Sequence, residues 1–279
     1  MRYRRTIKDD WLNERLAREG YLVSDHPTFS AIMGIAPDCS VSLRFFGNIS
    51  IGYYFALIIK ADCLEWDAFS ALSSNSIIVE LEASLPSKLL VLFCDNVDST
   101  KFGILDGAGV RLGNSEDLVR SFTEVNEELT LSPGGLKGIN RTINDPFQAW
   151  TREHLSRYIV FNDVDAFIIQ EDGNLLLLEL KRPQESVDSW YPYTDDASNY
   201  KAGVAMTQAS GGAINWLTVA YNEEDENSIS IFWITQATKQ VVNGYRTIRS
   251  VDSIDFSNIH DAVCEKAPFY STRSRRRHF

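Results

Sequence analysis

Four consecutive leucines, Leu175–Leu178, run straight into Glu179-Leu180-Lys181. An apolar run of that kind does not alternate between core and water, so it predicts a central strand covered on both faces. Ionised groups in such a strand are costly unless they are paired, hydrated or bound to a metal. Whatever fold contains this strand must therefore supply partners for Glu179 and Lys181.

The preceding stretch offers one. Asp165 leads the apolar run Ala166-Phe167-Ile168-Ile169, and two strands are expected, Tyr158–Gln170 and Asn174–Arg182, separated by Glu171-Asp172-Gly173. The loop decides whether the charges meet. A two-residue Asp172-Gly173 turn would set Asp165 opposite Leu180 and send Glu179 and Lys181 to the other face. A three-residue loop with Gly173 in the left-handed conformation sets Asp165 opposite Glu179 and Asp163 opposite Lys181, all four on one face. The glycine at the third loop position favours the second arrangement. Asp165, Glu179 and the Leu180 carbonyl would then be hard oxygen ligands suited to Mg2+ or Mn2+. Lys181 would orient a metal-activated water and stabilise charge growing on a phosphorane-like transition state.

The segment Asn162-Asp163-Val164-Asp165-Ala166-Phe167-Ile168, a short turn, and Leu176-Leu177-Leu178-Glu179-Leu180-Lys181-Arg182-Pro183 resembles the core signature of the PD-(D/E)XK nuclease superfamily, which includes many restriction endonucleases and repair or recombination nucleases. The likeness covers residues 146–234. It implies a restriction-endonuclease-like mixed sheet flanked by helices, with Asp165 and Glu179 as metal ligands and Lys181 as the catalytic lysine. It also implies an acid on the helix before the first core strand, best matched by Glu153, and a polar residue on the helix after the second, for which Gln208 stands. The literal Pro-Asp pair is absent, and Asp165 is preferred to Asp163 because the apolar run follows it. The expected activity is Mg2+-dependent endonucleolytic hydrolysis of DNA, in a restriction or anti-phage role, with RNA left open as a substrate. The protein would act as a homodimer or with a partner held by its N-terminal domain. The reading of another class is a catalytically inactive nuclease-like fold that binds nucleic acid or protein.

With 279 residues, 44% of them hydrophobic, the chain has material for two packed domains. Asp10–Gly20 reads as a short amphipathic helix with a glycine stop, leading to a strand at Tyr21–Val23. Runs of β type follow at Val41–Phe46, Ile49–Ile59, Ser76–Leu81 and Leu89–Cys94, with a helix at Leu64–Leu72 and a hairpin over Phe102–Leu105 and Val110–Leu112. Turn residues crowd Leu131–Asn144. The expected organisation is an α+β recognition or regulatory domain at 1–130, a linker at 131–145 and the catalytic domain at 146–279. Asp145-Pro146 starts a helix running to Arg157, as a capping acid and a proline in the first turn predict. A loop and helix occupy Gln184–Asn215, and strands Trp216–Tyr221 and Ile229–Ile234 follow. The N-terminal runs Phe55–Lys60 and Lys88–Asp95 resemble the strand order of the same core without its acids, as a degenerate copy would.

A formal net charge of -11 excludes a surface that coats nucleic acid at large, so contacts with DNA must be local. Arg182 and the tail residues Arg273, Arg275, Arg276 and Arg277 are the candidates, the tail reading equally as a solvated terminus. Cys39, Cys63, Cys94 and Cys264 lack the short spacings of a zinc or redox site and read as reduced, mostly buried thiols. His26, His260 and His278 suggest no triad, while His154 reads as a hydrogen-bonded core histidine. Trp190-Tyr191-Pro192-Tyr193, followed by Asp195-Asp196, suits a loop that stacks on bases or closes over the site, or equally packing at a sheet edge. Asp9, Asp10 and Trp11 stand where a signal peptide would be apolar, and Tyr53–Ile59 is too short to cross a bilayer, so a soluble cytoplasmic protein with no membrane contact is expected.

Overall fold

A computed structural model describes residues 11–250 apart from 37, 62–68, 70–71, 97, 99, 107–108, 134–144, 184–185, 188, 193–195, 223–227, 235, 238–241 and 244–245. The chain forms two compact units. The first combines residues 1–26 with 164–279, and the second is the intervening segment 27–163.

The first unit begins with α1 (Trp11–Arg18) and β1 (Leu22–Val23). Leu12 and Leu16, one turn apart, give α1 its buried stripe, and Gly20 ends it at φ +89°. The second unit follows with α2 (Pro27–Ile32), β2 (Ser40–Asn48), β3 (Gly52–Ala61), α3 (Ser76–Ser84), β4 (Leu89–Asp95), β5 (Phe102–Asp106), β6 (Gly109–Gly113), α4 (Ser115–Val125), α5 (Pro146–His154) and β7 (Val160–Val164). The chain then completes the first unit through β8 (Ala166–Ile169), β9 (Leu175–Lys181), α6 (Ala197–Ala209), β10 (Ile214–Tyr221), β11 (Ile229–Trp233), β12 (Gln236–Ala237), β13 (Val242–Asn243) and β14 (Arg246–Ser250).

The sheet of the first unit has the order β1-β8-β9-β10-β11-β14, and β9 and β10 are its parallel pair. The leucine run occupies the centre as its composition demands. Leu176 and Leu178 pack on one face with Leu12, Leu16 and Leu217. On the other face α6 comes down close: a Cβ at Gly203 would stand 2.7 Å from the Trp216 ring. The second unit's sheet runs β6-β5-β4-β3-β2-β7, again with one parallel pair, β3 and β4, joined through α3. Phe46, Ile58, Leu90 and Leu92 pack there with Phe122 of α4 and Phe147 and Trp150 of α5. The protein is therefore of the α/β class, with a mixed sheet in each unit. Among the described residues no helix is long and apolar enough to cross a membrane.

Two expectations need correction. Ser76–Leu81 is not a strand but the start of α3, because the Asn75 side chain accepts the Ile77 N–H as an N-cap. Only Ile78 and Leu81, three apart, are buried, while Val79 is 52% exposed, so the β-branched run is used with helical period. The strand expected over Tyr158–Gln170 is two strands in different sheets. Ser24, just after β1, donates its N–H to the Asp165 carbonyl at 2.9 Å and its hydroxyl to that of Val164 at 2.5 Å, which anchors the first unit's side of this break. Upstream of it, β7 joins β2, with Phe161 stacked on Phe46 at 5.6 Å. In the division into compact units, α5 and β7 fall with the N-terminal strands. The expected linker at 131–145 falls within that unit, and its residues 134–144 lie outside the described ones, as does most of the expected helix Leu64–Leu72.

Sequence reasoning also missed α4, although Asn114 and Asp117 form a reciprocal capping box at its start. The start of α5 is as expected, with Asp145 accepting from Gln148 N at 3.0 Å, but the helix stops at His154 rather than Arg157. His154 is a core histidine, stacked on Trp150 and hydrogen-bonded to Ser115 Oγ and the Trp150 carbonyl. Cys39 and Cys94 are buried free thiols, and Cys63 and Cys264 lie outside the described residues.

Candidate active site

The β8–β9 hairpin has the three-residue loop. Gln170 N donates to the Asn174 carbonyl at 2.8 Å, and Gly173 takes φ +81°. The ladder pairs Ala166 with Leu178 and Phe167 with Leu177. One step further sets Asp165 opposite Glu179, on the face that α6 covers. Asp165 N donates to the Leu178 carbonyl at 3.1 Å, and its Oδ2 accepts the Leu180 N–H at 2.6 Å, so the aspartate itself closes the ladder where β8 begins. Asp163 does not join this face. It left with β7 and pairs with Arg44 Nε at 2.7 Å in the second unit.

Lys181 lies two residues beyond Glu179 on the same face. Its Nζ is 2.7 Å from Glu179 Oε1 and 3.1 Å from Asp196 Oδ2. Asp196 immediately precedes α6 yet makes no capping bond with its side chain, which turns to the lysine instead. Burial disfavours the charge on Lys181, but the charge and hydrogen bond of Glu179, with Tyr200 and Asp196 beyond, outweigh it and hold the ammonium above its ordinary pKa. Glu179 is 8% exposed, and this pairing is how a carboxylate is accommodated in the leucine strand.

Two buried hydroxyls complete the cluster. Tyr200, one turn into α6, is fully buried, and its hydroxyl has no hydrogen-bond partner among the described residues. Burial pushes its pKa up against the opposing pull of Lys181. Thr218 stands beside Glu179 in the parallel β9–β10 register, is also fully buried, and its hydroxyl is likewise without a partner. Buried hydroxyls are normally satisfied, so two orphans beside the same acid and base mark a place where a polar ligand or water is accommodated. Sequence reading missed Tyr200 and Thr218, and named Asp196 only as part of a loop, not as a partner of Lys181. A signal existed for Thr218, a polar interruption in the apolar run Trp216-Leu217-Thr218-Val219, and for Asp196, an acid at the start of the helix that follows the charged strand.

Glu153 is exposed on α5, and neither it nor β7 contributes to the sheet that carries Asp165 and Glu179. The helix that leads into that sheet is α1, whose Glu14 stands 3.2 Å from His26 Nε2. Gln208 is exposed at the far end of α6, away from the Asp196 and Tyr200 turn. Arg182 is exposed just past β9, and Arg273, Arg275, Arg276 and Arg277 lie outside the described residues. Trp190 packs edge-on against Phe232, and Tyr191 beside it is 50% exposed.

Among the described residues no group of three or more His, Cys, Asp or Glu side chains is arranged to hold a metal ion. The donor set for a divalent cation is Asp165, Glu179 and the Leu180 carbonyl. All are hard oxygens, and the orphaned Thr218 and Tyr200 hydroxyls are of the kind that hydrogen-bond to metal-bound water, so the chemistry of the site fits Mg2+ or Mn2+. Comparison with protein-family models, with curated proteins and with solved structures finds no match.

Proposed function

We propose that the first unit is a PD-(D/E)XK-type, Mg2+-dependent endonuclease acting on DNA, with Asp165, Glu179 and Lys181 as its working residues and restriction or anti-phage defence as its setting. The observation that carries this reading is the register: an acid at the head of β8 faces an acid on β9, and a lysine follows two residues on along the same face. The acid-led hairpin, the α6 crossover and the parallel strand β10 follow in the order the resemblance implies, while the helix that leads into this sheet is α1 rather than the expected one at 146–157. A bound Mg2+ would supply a water of lowered pKa and charge to offset that of the phosphodiester. Asp165, Glu179 and the Leu180 carbonyl would hold it. Lys181, kept protonated by two acids, would orient the attacking water and meet the negative charge that develops on phosphorus.

A second reading, an inactive fold that binds nucleic acid or protein, is favoured by one observation. Lys181 is doubly paired, so the cluster is electrostatically satisfied as it stands. Cleavage of supercoiled plasmid and of a single-stranded oligonucleotide, with and without Mg2+ or Mn2+, separates the two. Divalent-dependent cleavage that disappears in Asp165→Ala and Glu179→Gln is expected. No cleavage of either substrate, together with no calorimetric binding of Mn2+, would select the inactive module.

A further inference from the structure

The second unit contains a cavity of about 500 Å3, within the range of small-molecule sites, between β2, α5 and the chain that leads into β7. Its wall carries three guanidiniums from separate positions, Arg44, Arg152 and Arg157, against one carboxylate, Asp163. Arg44 is engaged, with Nη2 2.8 Å from Asp145 and Nε 2.7 Å from Asp163, and Lys60 Nζ is 2.8 Å from the same Asp145 oxygen. Those two cations and two anions balance, and among the described residues Arg152 and Arg157 have no carboxylate partner.

Arg157 donates to the Tyr158 hydroxyl at 2.5 Å and lies over that ring, a neutral partner. Arg152, half-buried on α5, has neither a hydrogen bond nor an ion pair of its side chain among the described residues. Two arginines that line one cavity supply the charge and the paired N–H donors that a phosphate group takes. Beside them Leu155, Ile159 and the half-buried Phe161 provide an apolar side, and Gln148 and Thr151 contribute polar groups.

We propose that this cavity binds a nucleotide, either free or as one unit of a single strand, with its phosphate on Arg152 and Arg157 and its base against Leu155, Ile159 and Phe161. Nothing in this assignment depends on the nuclease reading of the first unit.

The test is calorimetry and fluorescence anisotropy on the full chain with AMP, with adenosine and with a labelled single strand of about eight nucleotides. AMP or the strand binds, and adenosine binds at least about tenfold more weakly, because it lacks the charge-assisted contacts. Arg152→Glu and Arg157→Glu each weaken binding by about tenfold or more, and Ile159→Trp, which fills the cavity without altering charge, abolishes it. Displacement of the strand by AMP identifies a free nucleotide as the ligand, and failure of AMP to displace it identifies the strand. Lys88→Ala, at an exposed lysine outside the cavity, leaves the affinity unchanged. The proposal is overturned by equal affinity for AMP and adenosine, by arginine variants that fold, as judged by circular dichroism, and still bind as the wild type does, or by no binding of either probe at millimolar concentration.

Discussion

In each sheet a lysine closes the apolar strand that precedes the parallel crossover: Lys181 after Glu179-Leu180 on β9, and Lys60 after Ile58-Ile59 on β3. The ladders align them further. Lys181 lies beside Ala220 of the next parallel strand, and Lys60 beside Cys94. On the antiparallel side, Glu179 and the Asp165 opposite it correspond to Ile58 and Ser42. The first sheet thus places two carboxylates where the second places an isoleucine and a serine. The lysine of the second sheet is neutralised from outside the sheet instead, by Asp145 at the start of α5, which also holds Arg44.

The difference separates a cluster with open hydrogen-bonding groups from one whose charged groups are all paired. Asp145 is bonded to two cations and to Gln148 N, and its carboxyl is held well below the usual range: burial raises it, but Arg44 and then Lys60 outweigh that. An acid so occupied is a fastener. Burial pushes the Cys94 thiol up to about 12, so this cluster offers no nucleophile at neutral pH either. Around Lys181, by contrast, two acids share one ammonium beside two buried hydroxyls that have no hydrogen-bond partner among the described residues.

The sharpest way to break this comparison is to remove each lysine. Lys181→Ala lowers divalent-dependent cleavage on the order of 10^3-fold, as loss of a charge-stabilising group does, whereas Lys60→Ala leaves the rate per folded molecule unchanged. Equal losses in a cleavage assay would mean that the two clusters work together or that neither is catalytic. Next in size, Asp145→Ala strands Arg44 and Lys60 in a buried site and destabilises the protein by about 3–5 kcal/mol in urea unfolding. A change within error would show that Arg44 is held mainly by Asp163.

Stability against pH separates the clusters by sign. Asp145 has a lowered folded pKa, so its contribution is present above the unfolded aspartate value of about 3.9 and is lost as pH falls through the folded value. Lys181 has a raised folded pKa, so its contribution is complete below the unfolded lysine value of about 10.4 and is lost as pH rises through the folded one. Thermal unfolding across pH is expected to show an acid limb that shrinks in Asp145→Asn and an alkaline limb that shrinks in Lys181→Met. The reverse assignment would undo the comparison. The smallest effect is that of Gly173→Ala, which forces a side chain into φ +81° and costs about 1–2 kcal/mol in the same measurement. A neutral result would mean that the loop relaxes and that the hairpin register is held by Asp165 and Leu180 alone.

Much of the site was legible before the fold was known. The leucine run, its charged end, the acid-led neighbour and a glycine in the third loop position together determine the β8–β9 register, because side chains alternate with period two and a one-residue slip would bury the wrong face. These are local facts, written in consecutive residues. Tertiary structure alone decided that the apparent strand Tyr158–Gln170 breaks at Asp165, which removes Asp163 from the sheet of the acids, and that α1, from the far end of the chain, covers that sheet. It also supplied Asp196, Tyr200 and Thr218. Which strand an edge accepts, and which helix end turns toward a lysine, depend on partners more than a hundred residues away in one case and on a crossover connection in the other, and neither leaves a pattern in the neighbouring residues.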